Sequence, residues 1–157
     1  MKVSIWNWVF LACIVIVLTI TDRNLCAASE HRKHSKVHIT NFKGEAENKF
    51  KTDESVYVKG SNFEPLTNVD VYVTENKKWV NGDPLTGTDI SSDGVETIQT
   101  TSNGNILKTM VWGAPTVVGK YDIVVDANQD GTFDTGDGDA VDNKSIDPGF
   151  KVKRFLP

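Results

Sequence analysis

Asn68-Val-Asp-Val-Tyr-Val-Thr-Glu-Asn76 decides the fold class of this chain. Val69, Val71 and Val73 alternate with Asp70, Tyr72 and Thr74. That period of two is the signature of a strand with one face against a core, because successive side chains of a strand point to opposite faces. On this reading Tyr57 and Tyr72, lying between inward valines, face solvent or a partner.

Working outward, the same character recurs on both sides. Glu54 to Gly60 is a short β-branched run closed by glycine. Val95 to Thr101 and Ile106 to Trp112 flank Ser102-Asn103-Gly104-Asn105, whose Asn-Gly pair suits a hairpin turn. Lys120 to Val125 follows Gly119 as another strand, and Phe150-Lys151-Val152 can close the sheet. After residue 28 no window keeps apolar residues at the three-and-four spacing of a helix, and Gly or Pro recurs about every ten residues. About seven short strands spread over residues 37–157 predict an all-β chain, an antiparallel sandwich of two sheets.

The run VYVKGSNFEPLTNVDVYV (residues 56–73) resembles the opening of immunoglobulin-like modules of bacterial and archaeal secreted surface proteins. In those a strand ends in glycine, a Phe-x-Pro turn follows, and a second strand alternates valines. Gly119-Lys-Tyr-Asp-Ile-Val-Val125 looks like their penultimate strand, which commonly opens G-x-Y. The resemblance spans most of 50–152 and implies an immunoglobulin-like fold, with surface structure or adhesion as the role and no particular activity.

Ahead of the strands, Lys2 precedes a thirteen-residue apolar run from Trp8 to Ile20, and Thr21 to Ala28 is polar and ends in small residues. This order predicts a secretory signal peptide over residues 1–28, cleaved after Ala28. The run is shorter than the roughly 20 residues of a membrane span, so no span is expected after cleavage, and the expected location is secreted or cell-surface. Cys13 and Cys26 both lie in that segment, so the exported domain has no disulfide to staple it and a structural metal gains appeal. Residues 29–36 read as a basic, solvated linker; His31, His34 and His38 lack an apolar face that would organise them as metal ligands. A net charge of −4 argues against nucleic acid as a partner.

The chemistry of the chain concentrates in Asp126-Ala-Asn-Gln-Asp-Gly-Thr-Phe-Asp-Thr-Gly-Asp137. Calcium takes about six to eight oxygen ligands at about 2.3–2.6 Å, and one short segment supplies them only by wrapping the ion. Asp126, Asn128 and Asp130 fall at the first three ligand positions. Gly131 allows the reversal, Thr132 offers a backbone carbonyl, Asp134 acts directly or through water, and Asp137 closes the shell, with Asp139 or Asp142 as alternative closing acids. Phe133, between ligand positions, is expected to tuck into the neighbouring core. The pattern resembles the calcium loop of dockerin and EF-hand proteins, with Asp in place of Glu at the last position. The strand before it and the glycines and proline after it forbid flanking helices, so a helix-free version is implied. The competing reading is an aspartate-rich turn whose side chains cap their own backbone.

A cysteine-free exported domain with no G-x-S-x-G elbow, and with its histidines confined to the first strand and what precedes it, predicts no enzyme. Trp79, in the long polar excursion Glu75–Gly87, is either an exposed stacking platform for a sugar of a cell-surface polysaccharide or an indole folded back over the edge of the fold. Trp112 reads as core. Asn143-Lys144-Ser145 fits a glycosylation acceptor. Calcium is the expected cofactor, and a polysaccharide or another surface protein the expected partner.

Overall fold

The computed structural model describes residues 34–142 and 147–154. The expected signal peptide, most of the linker and the Asn143 acceptor site lie outside the described residues. Every regular element among the described residues is a strand: β1 (Lys36–Thr40), β2 (Lys49–Lys51), β3 (Val56–Ser61), β4 (Asn68–Glu75), β5 (Asp83–Pro84), β6 (Glu96–Gln99), β7 (Ile106–Trp112), β8 (Gly119–Asp126), β9 (Thr132–Phe133), β10 (Ala140–Val141) and β11 (Phe150–Lys153). The chain is all-β. β1 begins at Lys36, one residue inside the segment read as linker, because Lys36 pairs with Ser61 across β3.

Two sheets carry the fold. One has the order β1-β3-β7; the other runs β2-β11-β8-β4-β6, with β10 pairing β8 beside the path. Setting aside the two- and three-residue strands, the first, second and fifth long strands make one sheet and the third, fourth, sixth and seventh make the other. Val37, Ile39, Val56, Val58, Ile106, Val111 and Trp112 from the first sheet share one apolar cluster with Val69, Val71, Val73, Tyr121, Ile123, Val125 and Phe150 from the second. Alternation is clear in β3, where Val56, Val58 and Gly60 are buried between more exposed neighbours. At about 25 cal/mol per Å² of apolar surface, burial of the shared cluster is the main force holding the two sheets together.

The strand runs agree with the sequence reading to within a residue or two, but one connection does not. Thr101 and Asn105 do form a tight turn, Thr101 N–H donating to Asn105 O at 2.9 Å. The strands it joins are not a hairpin, however: β6 pairs with β4, and β7 with β3 in the other sheet. A local turn signal fixes the reversal but not which sheet edge receives each arm.

The outer face of the larger sheet is not open either. Tyr72 and Val124, opposite one another across β4 and β8, form a second apolar cluster with Trp79, Leu85 and Phe133. Tyr72 is thus buried, not solvent-facing as its spacing suggested. Its cover comes from two loops, the 76–90 excursion and the acidic segment after β8, which pair with each other through β5 and β9.

The acidic loop as a candidate metal centre

β8 delivers the loop. Its odd-numbered residues Tyr121, Ile123 and Val125 enter the main core, so Asp122, Val124 and Asp126 share the outer face. Asp126, the first candidate ligand, is fully buried. Its Oδ2 accepts a hydrogen bond from Gly131 N–H at 2.8 Å, which draws the chain back over the strand end. Its Oδ1 is one of four buried side-chain polar atoms without a partner among the described residues. An unmet oxygen on a buried carboxylate is costly, since desolvation is uncompensated.

The wrap is local and follows the alternation of the sequence. Asn128 Oδ1 accepts from Asp130 N–H at 3.3 Å, and Asp130 Oδ1 from Thr132 N–H at 2.8 Å. Gln129 adopts φ 59° and Gly131 φ 78°, the two left-handed steps that curl the segment. Asn128 Nδ2 donates to Asp130 Oδ2 at 3.0 Å and to Asp137 Oδ2 at 3.4 Å. These two carboxylates, seven residues apart, therefore converge on one point, where an amide N–H₂ supplies the positive end of a dipole. Turning that amide about its last side-chain bond would put Oδ1 there instead, an oxygen among oxygens.

Thr132 lies opposite Pro84 in the β5–β9 pair, and its N–H turns away from β5 to Asp130. In a strand the C=O of a residue points to the same side as its N–H, so the Thr132 carbonyl also faces the loop. Phe133 is buried and meets Trp79 edge-on at 5.8 Å, as its position between ligands predicts.

Two of the expected acids do other work. Asp134 Oδ1 accepts from Gly136 N–H at 2.7 Å and so caps its own turn. Asp139 is buried and accepts from Ala127 N–H through Oδ1 and from Asp134 N–H through Oδ2, both at 2.7 Å. It clamps the start of the loop to its far side, and Asp137 remains the acid that approaches Asn128. Burial pushes the Asp139 carboxyl up to about 6; the two backbone N–H groups pull it down, while the charges of Asp126 and Asp130 push it up again. Asp142 is not in the loop at all. Its Oδ2 accepts from Ile39 N–H of β1 at 2.7 Å, and it lines a cleft with His38 and Asp147. Among the described residues no three Asp, Glu, His or Cys side chains stand together as a metal cluster. What the loop brings together is two carboxylates, Asp130 and Asp137, joined by the Asn128 amide, while Asp126 closes the loop onto Gly131 N–H.

Several supports are absent from the spacing of the loop. Asp70 of β4 sits opposite Asp126, and its Oδ1 accepts from Gln129 Nε2 at 2.8 Å and from Thr97 Oγ1 at 2.6 Å. Gly131 is also closely approached, since a Cβ there would meet Thr86 Oγ1 at 2.8 Å. Asp122, fully buried, accepts from Lys77 N–H at 3.1 Å, Trp79 Nε1–H at 3.3 Å and Gly149 N–H at 3.0 Å. These partners are 27 to 59 residues away along the chain, so only the strand register reveals them; the one available signal was the second acid, Asp139, just beyond the loop. The same contacts settle the two readings of Trp79. It is 8% exposed, folded back over the sheet, with Lys77 Nζ at 3.9 Å from its ring centroid, so it offers no open face to a sugar. No family model, curated protein or solved structure matches this chain.

Proposed function

We propose that the chain is an exported, non-catalytic, immunoglobulin-like β-sandwich whose 126–137 loop binds one calcium ion. The ion acts as a strut that fixes the second apolar layer to the larger sheet, and the role of the domain is structural or adhesive at the cell surface. The observation that carries the reading is Asp126, a fully buried carboxylate with one oxygen spent on closing the loop and the other without a partner among the described residues. A divalent cation supplies that missing partner and neutralises the converging charges of Asp130 and Asp137, with Asn128 and the Thr132 carbonyl as neutral ligands. Magnesium suits such a set poorly because it demands near-octahedral geometry and holds its water.

The immunoglobulin-like part of the reading rests on the division of the seven long strands between the sheets and on Tyr121. Its hydroxyl donates to Val117 O at 3.1 Å, lying over Gly119, where a Cβ would meet it at 2.5 Å. A tyrosine folding back on the backbone just upstream, near the start of the penultimate strand, is the corner motif of such sandwiches.

Isothermal titration of the exported chain tests the proposal. One calcium site is expected, with a dissociation constant of about 10⁻⁴ to 10⁻³ M, the range of extracellular modules, and far weaker binding of magnesium. Absence of calcium heat, together with identical melting in calcium and in chelator, would reject it. Export is checked separately: the intact mass of secreted protein should begin at Ser29.

A further inference from the structure

The β1–β2 connection and the β2–β3 turn border a cavity of about 320 Å³ whose lining includes no residue of the acidic loop. Phe42, Phe50, Asp53, Glu54, Ser55 and Tyr57 line it. We infer that this cavity is a binding site for one sugar unit of a neutral polysaccharide.

The groups left available in it decide the class of guest. Asn41 and Glu47, also on its wall, are committed to their own turns: Asn41 Oδ1 accepts from Lys43 and Glu45 N–H, and Glu47 Oε1 from Asn48 and Lys49 N–H. Glu54 accepts from Lys51 N–H at 2.9 Å and pairs with its ammonium at 3.8 Å. The Asp53 carboxylate, the Ser55 hydroxyl and the Tyr57 hydroxyl make no hydrogen bond with a described residue. Phe42 is 63% exposed, although a phenyl ring in water forfeits the burial it would gain elsewhere. Its flat face with three free polar groups around it matches a sugar ring, whose C–H face stacks on an aromatic and whose hydroxyls both donate and accept.

Charge selects the neutral members of that class. Lys43 Nζ lies 5.7 Å from the Phe42 centroid and Lys108 Nζ 5.2 Å from that of Tyr57, so the attraction of both rings for a cation is already met within the chain. An amine guest gains no cation–π contact from either ring, and an acidic sugar would face the carboxylates of Glu47, Asp53 and Glu54 on the wall. A neutral polyhydroxylated ring meets no such repulsion. At the small end of the usual 300–1,000 Å³, the cavity fits a sugar unit and not a folded partner.

Affinity electrophoresis in native gels tests the inference, with soluble mixed-linkage β-glucan, galactomannan and glycogen as neutral probes and polygalacturonate as the acidic one. At least one neutral polymer should retard the wild-type chain. Phe42→Ala, a change at an exposed position, should weaken that retardation about tenfold, and Asp53→Asn several-fold, with melting temperatures unchanged. Asp130→Ala, in the acidic loop, should leave it intact, so that failure of this inference and failure of the calcium reading remain distinct. Retardation by no neutral polymer, retardation by polygalacturonate alone, or equal retardation of wild type and Phe42→Ala would overturn it.

Discussion

Replacing Asp126 by Asn separates a metal loop from a self-capped turn, because the two predict different responses to calcium. The substitution keeps the shape of the side chain and keeps an acceptor for Gly131 N–H, 2.8 Å away. It removes a charge from a residue with no exposed surface and replaces the unpartnered Oδ1 by an N–H₂ group. The carboxylates of Asp126, Asp130 and Asp139 act on one another here, so donors entering their midst are favourable. An unsatisfied buried polar atom costs about 1–3 kcal/mol, and in chelator the variant should be more stable than wild type by about that amount. At roughly 4 °C per kcal/mol for a domain of this size, its melting temperature should rise by about 4–12 °C. Calcium narrows the advantage. At 1 mM calcium and a dissociation constant near 0.1 mM, binding adds about 1.4 kcal/mol to the wild type, or about 6 °C. The variant lacks the charged first ligand, so its calcium increment should be close to zero. Thermal unfolding followed by circular dichroism, each protein with EGTA and with calcium, gives the four melting temperatures needed. An equal calcium increment in both proteins, or a variant less stable than wild type in chelator, would refute the reasoning.

Other perturbations test neighbouring parts of the site. In chelator, Asp139 sets a pH dependence whose sign is fixed: a carboxyl held near 6 in the fold and near 3.8 when unfolded binds its proton more tightly when folded. Its penalty is therefore full above pH 6 and fades as pH falls through the 6 to 3.8 window, worth at most roughly 3 kcal/mol. The difference in stability between wild type and Asp139→Asn across that window should show it, and a flat difference would count against the clamp. Phe133→Ala should cost about 3–5 kcal/mol by emptying its place against Trp79 and should weaken calcium binding as well, read by calorimetry at a temperature where the variant is folded. Tyr121→Phe removes the hydroxyl that reaches Val117 O and should lower stability by about 0.5–1.5 kcal/mol in chemical denaturation, with the calcium increment unchanged.

What the sequence determined by itself is whatever depends on near neighbours. The valine alternation of 69–73 places one face of β4 in the core because strand geometry has a period of two, whatever the strand pairs with. The wrap of Asp126, Asn128, Asp130 and Gly131 is likewise local, built from side chains that bond backbone groups two to five residues on. Phe133 could be placed for the same reason, as the apolar residue between ligand positions.

The tertiary structure decided the rest, since it concerns which distant surfaces meet. Thr101–Asn105 reads as a hairpin turn, yet its arms enter opposite sheets, because β4 and β3 offer them better edges than they offer each other. Asp139 and Asp142 are alike in composition and three residues apart; one clamps the loop and the other binds β1, because β10 turns the chain along the edge of β8 between them. Trp79 and Tyr72 could have faced water. They do not, because the larger sheet presents Val124 between the buried carboxylates of Asp122 and Asp126, and that outer face needs both an apolar cover and hydrogen-bond donors. The excursion supplies them together: Trp79 brings its ring to Phe133 and its N–H to Asp122, a match across 43 residues that strand register alone creates.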